Sequence, residues 1–425
     1  MGAIHRFDRW WFPEWLVDGK APSGKHEDTM QQDGSGGTPP GRRRLADLAD
    51  ATPDKRDRYV DFLRALSVVV VVLGHWLGAV VYLQDGELTA TSALDVVPGL
   101  WIITWALQIM PIFFFVGGFS NFVTYEGLQR LGEGPGVFLK GRASRLLRPV
   151  GIFLLFWAIV APFALQLDLP DGAAEKAVLV LLGPLWFICA YLMLVLMAPV
   201  MVFLHRKFRI RVLVALVLIP VAIDLLRFAG DVPVIGWFNF LFVWLFIHQF
   251  GFFYADGTFD RVSRSLFWIM AIGGFAAMVG LTQMQVYPAS MVGCCSDEIS
   301  NMAPPTLAIM VFGVYQVGLS MLLRPSLTKW LARKRPWSVV IAINSSIMTL
   351  FLWHLSALVI AASILLPLGF PQPEMGSVQW WLTRPLWFGA AGLVLALLVF
   401  IWGRFERPDL DPAEQYWDLE EFYAL

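Results

Sequence analysis

The chain has 425 residues, 57% of them hydrophobic and only 15% charged, with a mean hydropathy of +0.62, a balance that excludes an ordinary soluble domain. An all-α polytopic membrane protein is expected instead. The formal net charge of −1 identifies no partner, because orientation depends on how Lys and Arg are shared between loops; membrane lipids are expected neighbours and nucleic acid is not.

Residues 1–54 read as a cytoplasmic N-terminal segment. Within it WWFPEWL (Trp10 to Leu16) has the character of an interfacial aromatic anchor, Ala21 to Gly41 is a polar linker rich in Pro, Gly and Ser, and GRRRL suits anionic headgroups. No apolar h-region follows the start, so no cleavable secretory signal is expected. About ten apolar runs long enough to span a bilayer follow, near 62–83, 101–124, 148–167, 177–204, 210–228, 235–256, 266–285, 306–323, 345–368 and 384–403. They form one membrane domain, 55–405. Its loops alternate in charge. Basic ones hold Arg56 and Arg58, Arg130 to Arg145, His205 to Arg211, Asp256 to Arg264 and Arg324 to Pro336, whereas those around Asp85, Asp171, Asp231, Asp297 and Glu374 are acidic or neutral. The positive-inside bias then puts both termini in the cytoplasm, with 406–425 as an acidic cytoplasmic tail.

The first span, DFLRALSVVVVVLGHWL, is apolar but for its ends. Arg64 and His75 are eleven positions apart, which at about 100° per residue returns to within about 20° of one direction, roughly 16 Å along the axis. Arg64 belongs at the cytoplasmic rim, paired with Asp61 three residues earlier, and His75 deep in the membrane on the same stripe. An ionisable ring there marks a polar interior passage, and its near-neutral pKa suits proton transfer. His248 and His354 read equally as hydrogen-bonded core residues. Arg142, Arg145 and Arg148 lead into the third span. Their guanidinium groups satisfy the positive-inside rule and also suit a phosphate clamp, with Arg142 and Arg145 the preferred pair over Arg145 and Arg148. Gly117 and Gly118 allow another helix or a ligand to come close. Cys189, Cys294 and Cys295 lack metal-ligand spacing, no metal site is expected, and no Walker lysine, GxSxG or HExxH motif occurs.

Taken together and in order, these segments resemble one family. YVDFLRALSVVVVVLGHW is similar to the opening helix of the acyltransferase 3 family of integral membrane O-acyltransferases, with its arginine and, eleven positions on, its histidine. FFFVGGF resembles the family's FF-x-x-SGF element, with Gly117 in place of the usual serine. FLKGRASRLLRP resembles its R-x-x-R segment, PLWFICAYL its LWF stretch and FLWHLSAL its late histidine helix. The likeness covers about residues 55–405.

The resemblance implies transfer of an acyl group, commonly acetyl, from cytosolic acyl-CoA to a hydroxyl on an envelope glycolipid, glycan or exported molecule; a glycolipid of the trehalose mycolate type is one such acceptor. No permanently bound cofactor is implied, since acetyl-CoA or another acyl-CoA is a donor substrate. His75 is then the general base, by direct transfer or through an acyl-imidazole. Arg64 and Asp61 support it from the passage, Arg142, Arg145 and Arg148 hold the CoA phosphates, and Trp186, His354 and Asn121 line the substrate side. The multi-pass protein would lie in the inner (plasma) membrane, and its oligomeric state is not legible. A proton-coupled transporter or flippase using His75 and His354 as relay groups is the alternative.

Overall fold

The computed structural model describes residues 52, 56–84, 87–164, 181–284, 286–293 and 299–406. Nearly all of the expected N-terminal segment, the tail beyond Glu406, Cys294 and Cys295 lie outside them. The long helices are α1 (Arg58–Gly78), α2 (Met110–Arg130), α3 (Pro135–Ala164), α4 (Leu185–Phe208), α5 (Ile210–Phe228), α6 (Asn239–Ala255), α7 (Arg264–Gln283), α8 (Leu307–Leu331), α9 (Lys334–Asn344), α10 (Ile347–Leu365) and α11 (Val378–Glu406). Among the described residues nine helical segments are long and apolar enough to cross a membrane. The fifth expected span, 210–228, is also a helix, α5, but it carries Arg211, Asp224 and Arg227 and is not one of those nine.

Two stretches differ from the sequence reading. The first span does not continue to residue 83. Helix α1 stops at Gly78, and the β-branched and aromatic run that follows forms strand β1 (Ala79–Gln84), paired antiparallel with β2 (Glu87–Ser92) in the register Ala79↔Ser92 to Gln84↔Glu87. Both faces of β1 are covered, Val80 and Tyr82 joining a small cluster with Trp380 of α11, and Val81 and Leu83 a second one with Trp387. The basic loop expected from Arg324 to Pro336 is mostly helical, because α8 runs on to Leu331 and α9 starts at Lys334, laying Trp337, Val340 and Ile341 into the core.

Several buried polar groups are matched across helices, as a water-poor medium favours. The Asp57 side chain caps α1 by accepting from the Tyr59 and Val60 amides at 3.0 and 3.1 Å, and also accepts from the Tyr254 hydroxyl at 2.6 Å. Asp224 joins three elements, accepting from Asn239 Nδ2 at 2.8 Å, the Tyr287 hydroxyl at 3.1 Å and the Leu307 amide at 2.9 Å. Ser346 at the start of α10 makes no side-chain cap. Glu406 from the far end of α11 supplies it, accepting from the Met348 and Thr349 amides at 2.8 Å each and from Thr349 Oγ1 at 2.6 Å. A carboxylate on those amides also opposes the helix dipole.

The bundle closes where glycines let helices touch. A Cβ on Gly118 of α2 would collide with the His248 carbonyl of α6, and one on Gly251 with the backbone of Phe115 and Phe119. This is the close approach foreseen at Gly117 and Gly118; Gly117 itself meets the Tyr191 ring. Gly118→Leu is therefore expected to cost about 3 kcal/mol or more and to abolish a monodisperse peak on size exclusion in detergent. Gly141→Ala, with nothing within 4 Å of the new Cβ, is the control that keeps the peak. Glu406→Ala removes a helix cap and should lower stability by about 1–2 kcal/mol, read as a fall in melting temperature.

Candidate active site: a histidine pair at the end of the first helix

Helix α1 delivers His75 in its last turn, where the His75 carbonyl takes the Ala79 amide that ends the helix. His75 thus lies toward the hairpin end of α1, not midway along the longer span expected. The next residue fixes it to α10, since Trp76 Nε1 donates to the His354 carbonyl at 2.8 Å. His354 Nε2 is then 2.8 Å from His75 Nδ1, the rings inclined by 24° with centroids 4.9 Å apart. His354 is fully buried, whereas His75 is exposed: one ring is sealed in the bundle and the other is accessible from outside it.

The proton positions follow from the partners. His354 Nδ1 lies 2.6 Å from the Phe351 carbonyl, which only accepts, so Nδ1 carries the hydrogen. In the neutral ring Nε2 is then an acceptor and takes the hydrogen of His75 Nδ1. That leaves His75 Nε2 as a lone pair. The pair is thus a base whose tautomer is set by a backbone carbonyl through a second imidazole.

The other expected site residues fall elsewhere. Asp61 and Arg64 belong to an ion-pair network at the opposite end of α1, with Asp61 Oδ2 2.6 Å from Arg56 Nε and Oδ1 3.4 Å from Arg64 Nη1. Asn344 Nδ2 holds the Asp61 carbonyl at 2.9 Å. The eleven residues from Arg64 to His75 put roughly 16 Å between them, so neither Asp61 nor Arg64 touches the histidine pair. Arg142 ties α3 to α2, its Nη2 donating to the Ser120 carbonyl at 2.6 Å, to Ser120 Oγ at 3.0 Å and to Thr124 Oγ1 at 2.6 Å. Of the three clustered arginines, Arg145 and Arg148 are the exposed ones. Asn121 is buried against His248, its Nδ2 3.1 Å from the ring Nε2, and Trp186 packs on Phe187 and Phe240. Neither contacts His75. Only His354 joins it.

Sequence reasoning passed over a second histidine arrangement. Gln249 Nε2 lies 2.6 Å from His205 Nδ1 and leaves His205 Nε2 to donate to Asp256 Oδ2 at 3.2 Å, while Arg209 Nη2 reaches the same oxygen at 3.0 Å. Burial works to raise the pKa of Asp256, but hydrogen bonds from Thr258 and His205 and the Arg209 charge outweigh it and leave it below the ordinary value. These residues stand 44 and 51 positions apart from His205, and no local spacing could have joined them. Among the described residues no group of three or more His, Cys, Asp or Glu is placed to hold a metal.

A family model described as an acyltransferase domain matches residues 57–403, which include both histidines and all the helices from α1 to α10. No match was found among curated proteins or among solved structures. With its apolar helices and this match, the chain is a multi-pass membrane protein that belongs to the acyltransferase 3 family.

Proposed function

We propose that the protein is an O-acyltransferase that takes an acyl group, acetyl in the simplest case, from cytosolic acyl-CoA to a hydroxyl of a cell-envelope glycolipid or glycan. The observation that carries this reading is the exposed His75 ring with its bare Nε2, held by buried His354. Basic residues collect at the Asp61 end of the bundle, among them Arg56, Arg58, Arg206, Arg209, Arg324 and Lys329, and the positive-inside bias makes this the cytoplasmic face of the inner membrane. The donor enters there. Arg145 and Arg148, exposed on α3, hold its phosphates in bidentate fashion, and the thin pantetheine arm brings the thioester inward.

In the reaction His75 Nε2 removes the proton of the acceptor hydroxyl, the oxygen bonds to the thioester carbonyl carbon, and the carbon–sulfur bond breaks. The departing thiolate takes the proton back from His75 and leaves as CoA. During the step the imidazolium charge of His75 is supported through Nδ1–H by His354, since no carboxylate reaches the pair among the described residues. General-base catalysis of this kind contributes about 10²–10⁴-fold.

His75→Ala in correctly inserted protein should therefore lose about 10²–10⁴-fold in CoA-thiol release with acetyl-CoA and membrane acceptor; an unchanged rate would remove the assignment. Proton-dependent flux of a substrate without CoA release would favour the transporter reading instead. His354→Leu leaves His75 Nδ1–H without an acceptor and should lower kcat roughly tenfold or more, with an altered pH–rate profile. His354→Gln, which retains an acceptor oxygen, should recover part of both. Arg145→Ala with Arg148→Ala is expected to raise KM for acyl-CoA with little change in kcat.

A further inference from the structure

The basic residues are not confined to one end. Among the described lysines and arginines, Arg227 and Arg384 lie at the hairpin end. Arg227 has a local explanation, with Asp224 one turn before it and the Pro304 carbonyl 3.5 Å from its Nη1. Arg384 has none. It is partly buried in α11, its guanidinium carbon 4.5 Å from the centre of the Trp380 ring and 5.9 Å from that of Trp387. Its Nε donates to the Trp380 carbonyl at 3.3 Å, and no carboxylate faces it among the described residues. The two terminal amino groups, the fork that grips an oxyanion, have no hydrogen-bond partner among the described residues. Trp380 is 1% exposed and its indole N–H is a second buried donor with no acceptor.

The position is as informative as the vacancy of partners. Trp380 and Trp387 are the indoles that cover the two faces of β1, the strand that continues α1 just past His75. One turn along α11 from Arg384, Phe388 lies 6.2 Å from the ring of Trp76, the neighbour of His75. An unmatched cation in a low-dielectric setting is costly, and two indole faces offset only part of that cost. Through Phe388 and Trp76 the turn that carries Arg384 is packed against the residue next to His75.

We infer that Arg384, framed by Trp380 and Trp387, is the anion-binding subsite for the acceptor, taking a phosphate oxyanion carried by the molecule that enters at the hairpin end. The assignment of that molecule as the acyl acceptor rests on the function proposed above; the anion site itself does not. A bilayer phosphate offers the same chemistry, so the source has to be separated by experiment.

Arginine labelling with phenylglyoxal, followed by peptide mass spectrometry, reads the site in the full-length protein. Labelling is compared in maltoside micelles, which contain no phosphate, and in phosphatidylglycerol nanodiscs, with glucose 6-phosphate or glucose. Glucose 6-phosphate is expected to slow modification of Arg384 severalfold in micelles while glucose does not, with Arg227 as the internal reference. Arg384→Gln should lose calorimetrically detected binding of glucose 6-phosphate while keeping the wild-type elution profile. Equal labelling with and without the sugar phosphate overturns the proposal. Slowing by phosphatidylglycerol alone also overturns it and makes Arg384 a headgroup anchor. Protection without any CoA release would leave the anion site standing and remove the acyltransferase reading; His75-dependent CoA release without protection would remove the subsite alone.

Discussion

The hydrogen bond between His75 Nδ1 and His354 Nε2 joins residues 279 positions apart, and much of the bundle is arranged so that it forms. Imidazole rings sealed away from water stay there only if their polar edges are matched. His354 meets that condition with the Phe351 carbonyl on one side and His75 on the other. The backbone around it is pinned as well, by Trp76 to the His354 carbonyl, by Asn344 to the Asp61 carbonyl, and by Glu406 on the first amides of α10. The first ties α10 to α1, the second ties α9 to α1, and the third ties α10 to α11. The two rings are set by packing along the whole length of three helices rather than by a local turn.

The two ends of the bundle then carry different chemistry. At the Asp61 end, charges are largely spent on each other: Arg56 and Arg64 on Asp61, Arg206 on Glu126, Arg324 on Asp260, and Arg209 with His205 on Asp256. The exposed pairs, such as Arg324 with Asp260, add little stability singly, whereas Asp61 and His205 are buried and need their partners; Arg145 and Arg148 are exposed on α3. At the hairpin end strand β1 packs against Trp380 on one face and Trp387 on the other, and Arg384 lies against both indoles. His75, in the last turn of α1, belongs to the hairpin end and is remote from the Asp61 network.

Part of this was legible residue by residue. Long apolar runs report helices whatever they pack against, because a span in lipid must satisfy its backbone internally, and the histidine at the end of α1 stood out as an ionisable group in an apolar run. The hairpin was obscured by the same signal: VVYL is apolar enough to prolong a span, although the Asp85-Gly86 dipeptide that follows is a hairpin signal. The surroundings of the arginines depend on more than their position along a helix. Arg142 is turned onto Ser120 and Thr124 of α2, a contact that depends on how α3 lies across α2 and that no spacing within either helix encodes.

By itself the sequence determined the membrane-spanning helical class, the alternation of basic loops and the family, and it singled out His75 as a candidate, because hydropathy, charge and motif order act along the chain. Tertiary structure alone decided that His75 pairs with His354, that Glu406 caps α10, and that Arg384 lies between two indoles beside the hairpin. The first two outcomes depend on distances of about 3 Å between helices remote in sequence, and such distances follow from how the helices pack against one another, which no spacing along one helix encodes.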